Sequence, residues 1–489
     1  MAATNNSNRC LVWFRADLRT VDNTALIQAC QKYSSVLAVF IATPEQWAAH
    51  DTAPIQIDFI RRRLAVLRSQ LAELNIPLRI ESVADFNAVP DYLVTLAHDW
   101  QAGHVFCNKQ YEWNERQRDL AAGHALAEAG IKFSVLEDTC VLAAGTILTR
   151  QGEPFRVFTP FRREWLRQFQ QSPALAQTAP QPLTRSDCDP RFGSETESNP
   201  GQSWLGYPLA DSSLWPVDEE TIRDALMRFC IEHVADYGEQ RDFPAVEGTS
   251  KLSPYLAIGA LSARQCVSAI LHEHPQALEK QDAGPFVWLN EIIWREFYRH
   301  LIDAYPKVSR AQPFIDWTKQ VAWHSDKAAL ARWQQGETGF PIVDAAMRQL
   351  KATGWMHNRL RMITASFLTK DLLIHWQAGE QWFMSHLIDG DLASNNGGWQ
   401  WAASTGTDAQ PYFRVFNPTT QGKKFDPNGE FIRTWVKELD RVPDKYIHNP
   451  HEWSGAASLA YPPPMVDHKL ARLQAIEAFK QAKAAAEAG

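Results

Sequence analysis

Five short apolar runs punctuate the N-terminal part of the chain: CLVWF (10–14), VLAVFIA (36–42), LRIESV (78–83), HVFCN (104–108) and FSVLE (133–137). The segments between them carry helical spacing, as in FIRRRLAVLRSQLAEL, where Ile60, Leu64, Leu67, Leu71 and Leu74 recur three or four residues apart. Strands separated by helices run parallel, and a parallel sheet must be covered on both faces. The pattern therefore predicts a doubly wound parallel sheet, an α/β domain over residues 1–142, with its ligand crevice at the C-terminal strand ends. No G-x-G-x-x-G follows any of the runs, which argues against a nicotinamide-type dinucleotide there.

The character of the chain then changes. Residues 143–215 read as an interdomain connector, because from about 170 they are rich in Pro, Ser, Gln and Thr and lose periodicity. Residues 216–475 show helical patterns almost throughout and predict an all-α C-terminal domain, followed by a tail at 476–489. A chain of 489 residues buries a large core without staples, and its seven scattered cysteines, never spaced C-x-x-C, point away from disulfides and zinc. The N-terminus lacks a basic start with an apolar run, and no stretch reaches 18 apolar residues, so the expectation is a cytoplasmic protein without a membrane span. A net charge of -7 excludes indiscriminate coating of nucleic acid but not a local basic rim. Nineteen tryptophans against eleven tyrosines are more than packing alone needs.

Four helical-domain segments carry candidate chemistry. In RDFPAVEGTSKLSPYLAIGALS (241–262), the turn Gly248, Thr249, Ser250, Lys251 and Ser253 is rich in donors for a phosphate, and the same letters also read as a plain helix cap. In WLNEIIWREFYRH (288–300), Trp288, Glu291 and Arg295 share a face with Trp294 and Tyr298 beside it; an acid among indoles has its pKa raised, whereas an ordinary amphipathic helix explains the letters equally. In GWMHNRLRMITASFL (354–368), Leu360, Ile363, Thr364 and Phe367 make the core stripe and leave Asn358, Arg361, Met362 and Ala365 on an adjacent face. The fourth, DGDLASNNGGWQWAAS (389–404), packs acids, paired amides, paired glycines and two indoles together. It opens like a calcium loop, but Ala393 stands where an oxygen ligand is required, and no metal site is expected here or at His272 to His274.

In order and wording these segments, with LVWFRADLRTVDNTAL (11–26), GFPIVDAAMRQL and NNGGWQWAASTGTD, resemble the DNA photolyase and cryptochrome family over almost the whole chain. The resemblance is strongest to bacterial class I cyclobutane pyrimidine dimer photolyases of the folate-antenna type. It implies an FAD held by Tyr237, Thr249, Ser250, Leu252, Ser253, Trp288, Asn358, Arg361, Asp389, Asp391 and Asn395, with Arg361 paired to Asp389 and Asn395 facing the reactive flavin nitrogen. Plant cryptochromes typically carry Asp at that position and animal ones Cys, so Asn395 favours repair over signalling.

The same resemblance implies a flipped-out pyrimidine dimer between Trp294 and Trp401, lined by Glu291, Asn358 and Met362, with Arg241, Arg295, Arg359 and Arg414 toward the flanking phosphates. Relatives that repair (6-4) photoproducts have His where Met362 stands. Trp323, Trp376 and Trp399 match an electron-transfer chain, and Glu291 matches the residue that steadies the dimer radical anion. His50, Asn114, Glu115 and Arg310 match the site of a methenyltetrahydrofolate antenna, although Ser309 and Arg310 depart from the expected Cys and Lys; a deazaflavin or no antenna are the alternatives. The implied activity is light-driven splitting of pyrimidine dimers in damaged DNA by a monomer. A signalling cryptochrome and a carbohydrate-active protein, whose sugar stacking would use the same indoles, are the competing classes; the chain lacks the long disordered tail of many signalling members.

Overall fold

The computed structural model describes residues 8–184 and 204–488, so Cys188 and part of the expected connector lie outside the described residues. The chain separates into two compact units, one of residues 1–232 with 250–306 and the other of 233–249 with 307–489.

The first unit holds a five-stranded parallel sheet in the order β3-β2-β1-β4-β5. The strands are β1 (Arg9–Phe14), β2 (Ser35–Ala42), β3 (Leu78–Ser82), β4 (His104–Asn108) and β5 (Lys132–Leu136), each within one residue of an apolar run. β2 and β4 are buried along their whole length, as strands covered on both faces must be. Helices α1 (Thr24–Lys32), α2 (Pro54–Glu73), α3 (Val89–Trp100) and α4 (Trp113–Glu128) intervene between the strands. One face packs Leu11, Trp13, Leu37, Val39 and Val105 against Leu93, Leu96 and Trp100 of α3 and Leu126 of α4. The order reverses between β1 and β4, which puts the crevice at Asn108 and the segment after Phe14.

This unit also contains α5 (Phe158–Gln171), inside the stretch read as connector, and α6 (Ala263–Glu273) and α7 (Gly284–Ala304). Buried charge fastens α6 and α7 to the α/β part. Arg264 reaches both Asp22 oxygens at 3.0 Å and Asp138 at 2.8 Å. Burial pushes the Asp138 pKa up, but Arg19 and Arg264 override it and hold the group at about 2. Glu296 on α7 accepts from the backbone N–H of Val141 and from Trp165 Nε1. Long-range ion pairs of this kind leave no periodic trace, which is why the compact units cut the chain differently from a division based on composition.

The second unit contains α8 (Pro341–Thr353), α9 (Asn358–Ser366), α10 (Trp376–Met384), α11 (Leu392–Ala403) and α12 (His468–Ala488), the last running through the expected tail. Its core joins Met347 and Leu350 of α8, Leu360 and Ile363 of α9, Trp376 and Phe383 of α10, and Trp399 of α11. Among the described residues no helix is long and apolar enough to cross a membrane.

Candidate active site

The stretch 389–404 is mostly one helix. Asp391 caps α11 by accepting from Ser394 N–H at 2.8 Å. The two adjacent amides take different roles. Asn396 is buried, donating to Glu380 Oε1 at 2.7 Å and accepting from Gln400 Nε2 at 2.9 Å, while Gln400 Oε1 accepts from Phe314 N–H at 2.8 Å. Asn395 donates its Nδ2 to the Glu380 carbonyl at 3.0 Å, which fixes the amide and leaves Oδ1 as an acceptor on a half-buried face. A Cβ built on Gly398, nearly one turn beyond Asn395, meets no atom within 4 Å, so that face borders open space.

Asp389, just before the helix, is 7% exposed and pairs through Oδ2 with Arg361 Nη2 at 2.7 Å. Arg361 is held by a second bond from Nε to the Met356 carbonyl at 2.8 Å. Asp389 Oδ1 is buried without a hydrogen-bond partner, a costly arrangement unless a donor is brought to it. On α9, Asn358 is exposed and Met362, one turn later, is half-buried, but Ala365 belongs to the core at 3% exposure and leaves the face assigned to it.

The three tryptophans run from core to surface. Trp399 is 2% and Trp376 1% exposed, whereas Trp323 is only partly buried. Gly379 lets the Trp399 ring lie against α10 one turn from Trp376: a Cβ there would stand 2.1 Å from Trp399 Cη2. Sequence reasoning missed Gly379, Glu380 and Gln400, although Trp376-x-x-Gly379 places the glycine on the face of the indole.

Tyr237 is buried and opens the short helix Tyr237–Gln240, against which Gly248 packs; Thr249 is half-buried. In the other unit, Ser250 is half-buried, Leu252 is buried, and Ser253 opens the helix Ser253–Ala257. The residue before that helix, Leu252, has no side-chain group that could cap it. On α7, Trp288 is buried with its ring centroid 5.2 Å from that of Phe229, and Glu291 is half-buried. Trp294 stacks on Phe158 at 3.6 Å and 8°, so one of its faces is covered. Arg295 does not stand as an outward phosphate contact: its guanidinium donates to the Thr139 carbonyl at 3.0 Å and the Leu256 carbonyl at 3.3 Å. Glu296, also on α7, has its pKa raised by burial and plays a structural role.

Arg359 forms a two-point pair with Asp242 at 2.8 and 3.2 Å and lies over the Phe425 ring, Arg241 lies over Tyr237, and Arg414 is exposed. Near the sheet, His50, Asn114 and Glu115 come together. Asn114 Nδ2 and Gln46 Nε2 lie 2.9 and 2.8 Å from His50 Nε2, which places the ring proton on Nδ1, facing Glu115 at 3.6 Å. Burial lowers the His50 pKa and raises that of Glu115, so both lean toward their neutral forms. Phe86 meets the imidazole edge-on at 5.7 Å. Arg310 belongs to the other unit, in the turn Val308–Arg310.

Two family models match the chain, "DNA photolyase" over residues 10–182 and "FAD binding domain of DNA photolyase" over 288–481. The deoxyribodipyrimidine photo-lyase of Vibrio cholerae is 52% identical, covering 97% of this chain and 99% of the relative. That of Escherichia coli is 51% identical, covering 97% and 98%. The crystal structure of a bacterial class III photolyase from Agrobacterium tumefaciens shares a TM-score of 0.82 at 33% identity over 99% of both chains. A Synechocystis cryptochrome structure gives a TM-score of 0.78 at 25% identity over 96% of this chain and 98% of its own.

The chain belongs to the DNA photolyase family. FAD is thus its cofactor, and the second unit offers what a flavin needs. Asn395, its Nδ2 fixed on the Glu380 carbonyl, keeps Oδ1 as an acceptor, Asp389 Oδ1 is a buried acceptor without a partner, and the space beside Gly398 is one that a Cβ would occupy.

Proposed function

We infer that this protein is a light-dependent DNA repair lyase that splits cyclobutane pyrimidine dimers, with FAD as cofactor. The observation that carries the reading is full-length similarity to deoxyribodipyrimidine photo-lyases joined to an asparagine whose Nδ2 is tied to the Glu380 carbonyl, which leaves Oδ1 as the acceptor. When bound, FAD supplies light-driven donation of one electron to the lesion and takes it back after the ring opens. The residues of the chain hold, orient and exclude water. The Asn395 carbonyl accepts from the flavin and offers no acidic proton at the reacting ring. Asp389, held in place by Arg361, takes a donor at its unpartnered oxygen, with Asp391, Asn358 and Trp288 around the rest; Tyr237, Thr249, Ser250, Leu252 and Ser253 serve the phosphates and ribose.

For the lesion, Trp401 supplies a flat wall worth about 1–3 kcal/mol of stacking per base. Met362 and Asn358 line the cavity, Trp294 presents the face that Phe158 does not cover, and Glu291 hydrogen-bonds the dimer as charge develops on it. Arg241, Arg359 and Arg414 meet the flanking phosphates, so binding weakens as salt rises. Trp323, Trp376 and Trp399 carry electrons inward to restore the reduced flavin. The His50, Asn114 and Glu115 cluster holds a folate antenna, and Arg310 is assigned to that ligand by the family resemblance alone. Residues 1–142 thus serve the antenna and 216–475 the flavin and DNA, in a cytoplasmic monomer. The test is repair of a defined thymine dimer in an oligonucleotide by the reduced protein, in light and in the dark. Intact thymines should return only in light, and Glu291→Ala should lower the yield at unchanged FAD content. A flavin-loaded protein that repairs nothing would shift the reading to a signalling cryptochrome.

A further inference from the structure

His375 immediately precedes Trp376 and lies between two of the three chain tryptophans. Its imidazole centroid is 5.3 Å from that of Trp323, edge-on at 61°, and 5.7 Å from that of Trp376, stacked at 28°. On its far side Trp323 meets Phe479 of α12 edge-on at 5.7 Å. His375 also has a plain structural role as the N-cap of α10, its Nδ1 accepting from Gln377 N–H at 3.2 Å. That bond places the ring proton on Nε2. Burial holds the pKa below its ordinary value, so the ring is neutral at pH 7 and puts no positive charge beside an oxidised indole.

We propose that His375 is a relay ring, coupling the outer Trp323 to the buried Trp376 during flavin photoreduction. The proposal rests on the assignment of Trp323 and Trp376 to the electron-transfer chain. Electron transfer between indoles falls off steeply across saturated matter, and His375 puts a π ring in contact with both indoles. In the step, one electron leaves the Trp323 indole and reaches the Trp376 radical cation. Trp376 returns to its neutral form, Trp323 becomes the radical cation, and an added thiol gives it one electron and releases its proton to water, the thiyl radicals of two such turnovers coupling to a disulfide. The initial oxidant is photoexcited oxidised FAD, and His375 ends the step with the electrons and proton it started with.

Cap and relay separate cleanly by substitution. His375→Asn keeps a capping oxygen and removes the ring; His375→Phe keeps a ring and removes the cap. The readouts are the rise of the Trp323 radical absorption after a light pulse on the FAD-loaded protein, and the unfolding midpoint. Repair by chemically pre-reduced protein, which bypasses the relay, is the control. We expect His375→Phe to keep a rate near that of the parent despite some loss of stability, and His375→Asn to be slower by about tenfold or more at near-parent stability. The proposal is overturned if His375→Asn transfers at the parent rate, or if both variants slow equally. Trp323→Phe in the same series guards the underlying reading. Unchanged photoreduction in that variant removes Trp323 from the chain and the relay with it, whereas slowed photoreduction beside a parent-like His375→Asn rejects the relay alone.

Discussion

Gly379→Ala places two effects of opposite sign at one position. Gly379 is the fourth residue of α10, where alanine gains about 0.8–1 kcal/mol in helix propensity. Against this, the new Cβ would stand 2.1 Å from Trp399 Cη2, 2.4 Å from Cζ3 and 2.7 Å from Leu368 Cδ2. Restoring ordinary contact moves the indole by more than about 1 Å. Trp399 is 2% exposed and is held by Trp333 and Phe383 at 6.0 and 4.9 Å, so it has no free direction. Overpacking of this kind costs roughly 1–3 kcal/mol, with more at a rigid aromatic, and the clash wins. The expected net loss is about 1–2 kcal/mol, read as a lowered urea midpoint at unchanged m-value. Displacing Trp399 also changes its geometry beside α10, so flavin photoreduction should change in the same variant. A midpoint equal to or above that of the parent would refute the reasoning, because propensity alone would then decide.

Gly398→Ala is the counterpart, since its Cβ meets nothing: flavin-free protein should gain up to about 1 kcal/mol in urea unfolding, while FAD content after purification falls if that space belongs to the cofactor. Asp389→Asn keeps the shape but uncouples Arg361, and the flavin-to-protein absorbance ratio should drop severalfold; a ratio like that of the parent would remove Asp389 from the site. Lys370 is buried, its amine donating to the Ala403 carbonyl at 3.1 Å, and burial pushes its pKa down to about 7. A lysine pKa lower in the folded than in the unfolded state means that folding releases a proton. Stability therefore rises with pH between about 7 and 10, by up to roughly 1.4 kcal/mol per unit, and the penalty is fully present below that window. In Lys370→Met that slope should vanish in urea titrations across this range, whatever the constant offset from the lost hydrogen bonds.

Much of the fold was legible in residue order. The five apolar runs match the five strands closely because strands buried on both faces must be apolar throughout, and Leu360, Ile363 and Thr364 of α9, with Phe367 just past its end, form the buried stripe for the helical counterpart of that reason. The site was legible through letters whose combination has few other uses, above all the paired amides and indoles of 389–404. Arg295 shows the limit. Its side chain sits at the spacing of a cleft residue, yet it ends on the carbonyls of Thr139 and Leu256, more than 150 and nearly 40 positions away respectively. Sequence by itself determined the run of five strands, the mainly helical character of residues 216–475, the absence of an 18-residue apolar run and the chemistry available at each position, because these follow from local periodicity and composition. Only the tertiary structure decided that Asn396 is a structural amide while Asn395 ties its Nδ2 to the Glu380 carbonyl and keeps Oδ1 as an acceptor, that Gly379 makes room for Trp399, and that His375 contacts two indoles. Those outcomes depend on which distant groups meet in a close-packed interior, where a backbone carbonyl such as that of Glu380 selects one orientation of a side chain that its own sequence neighbourhood leaves open.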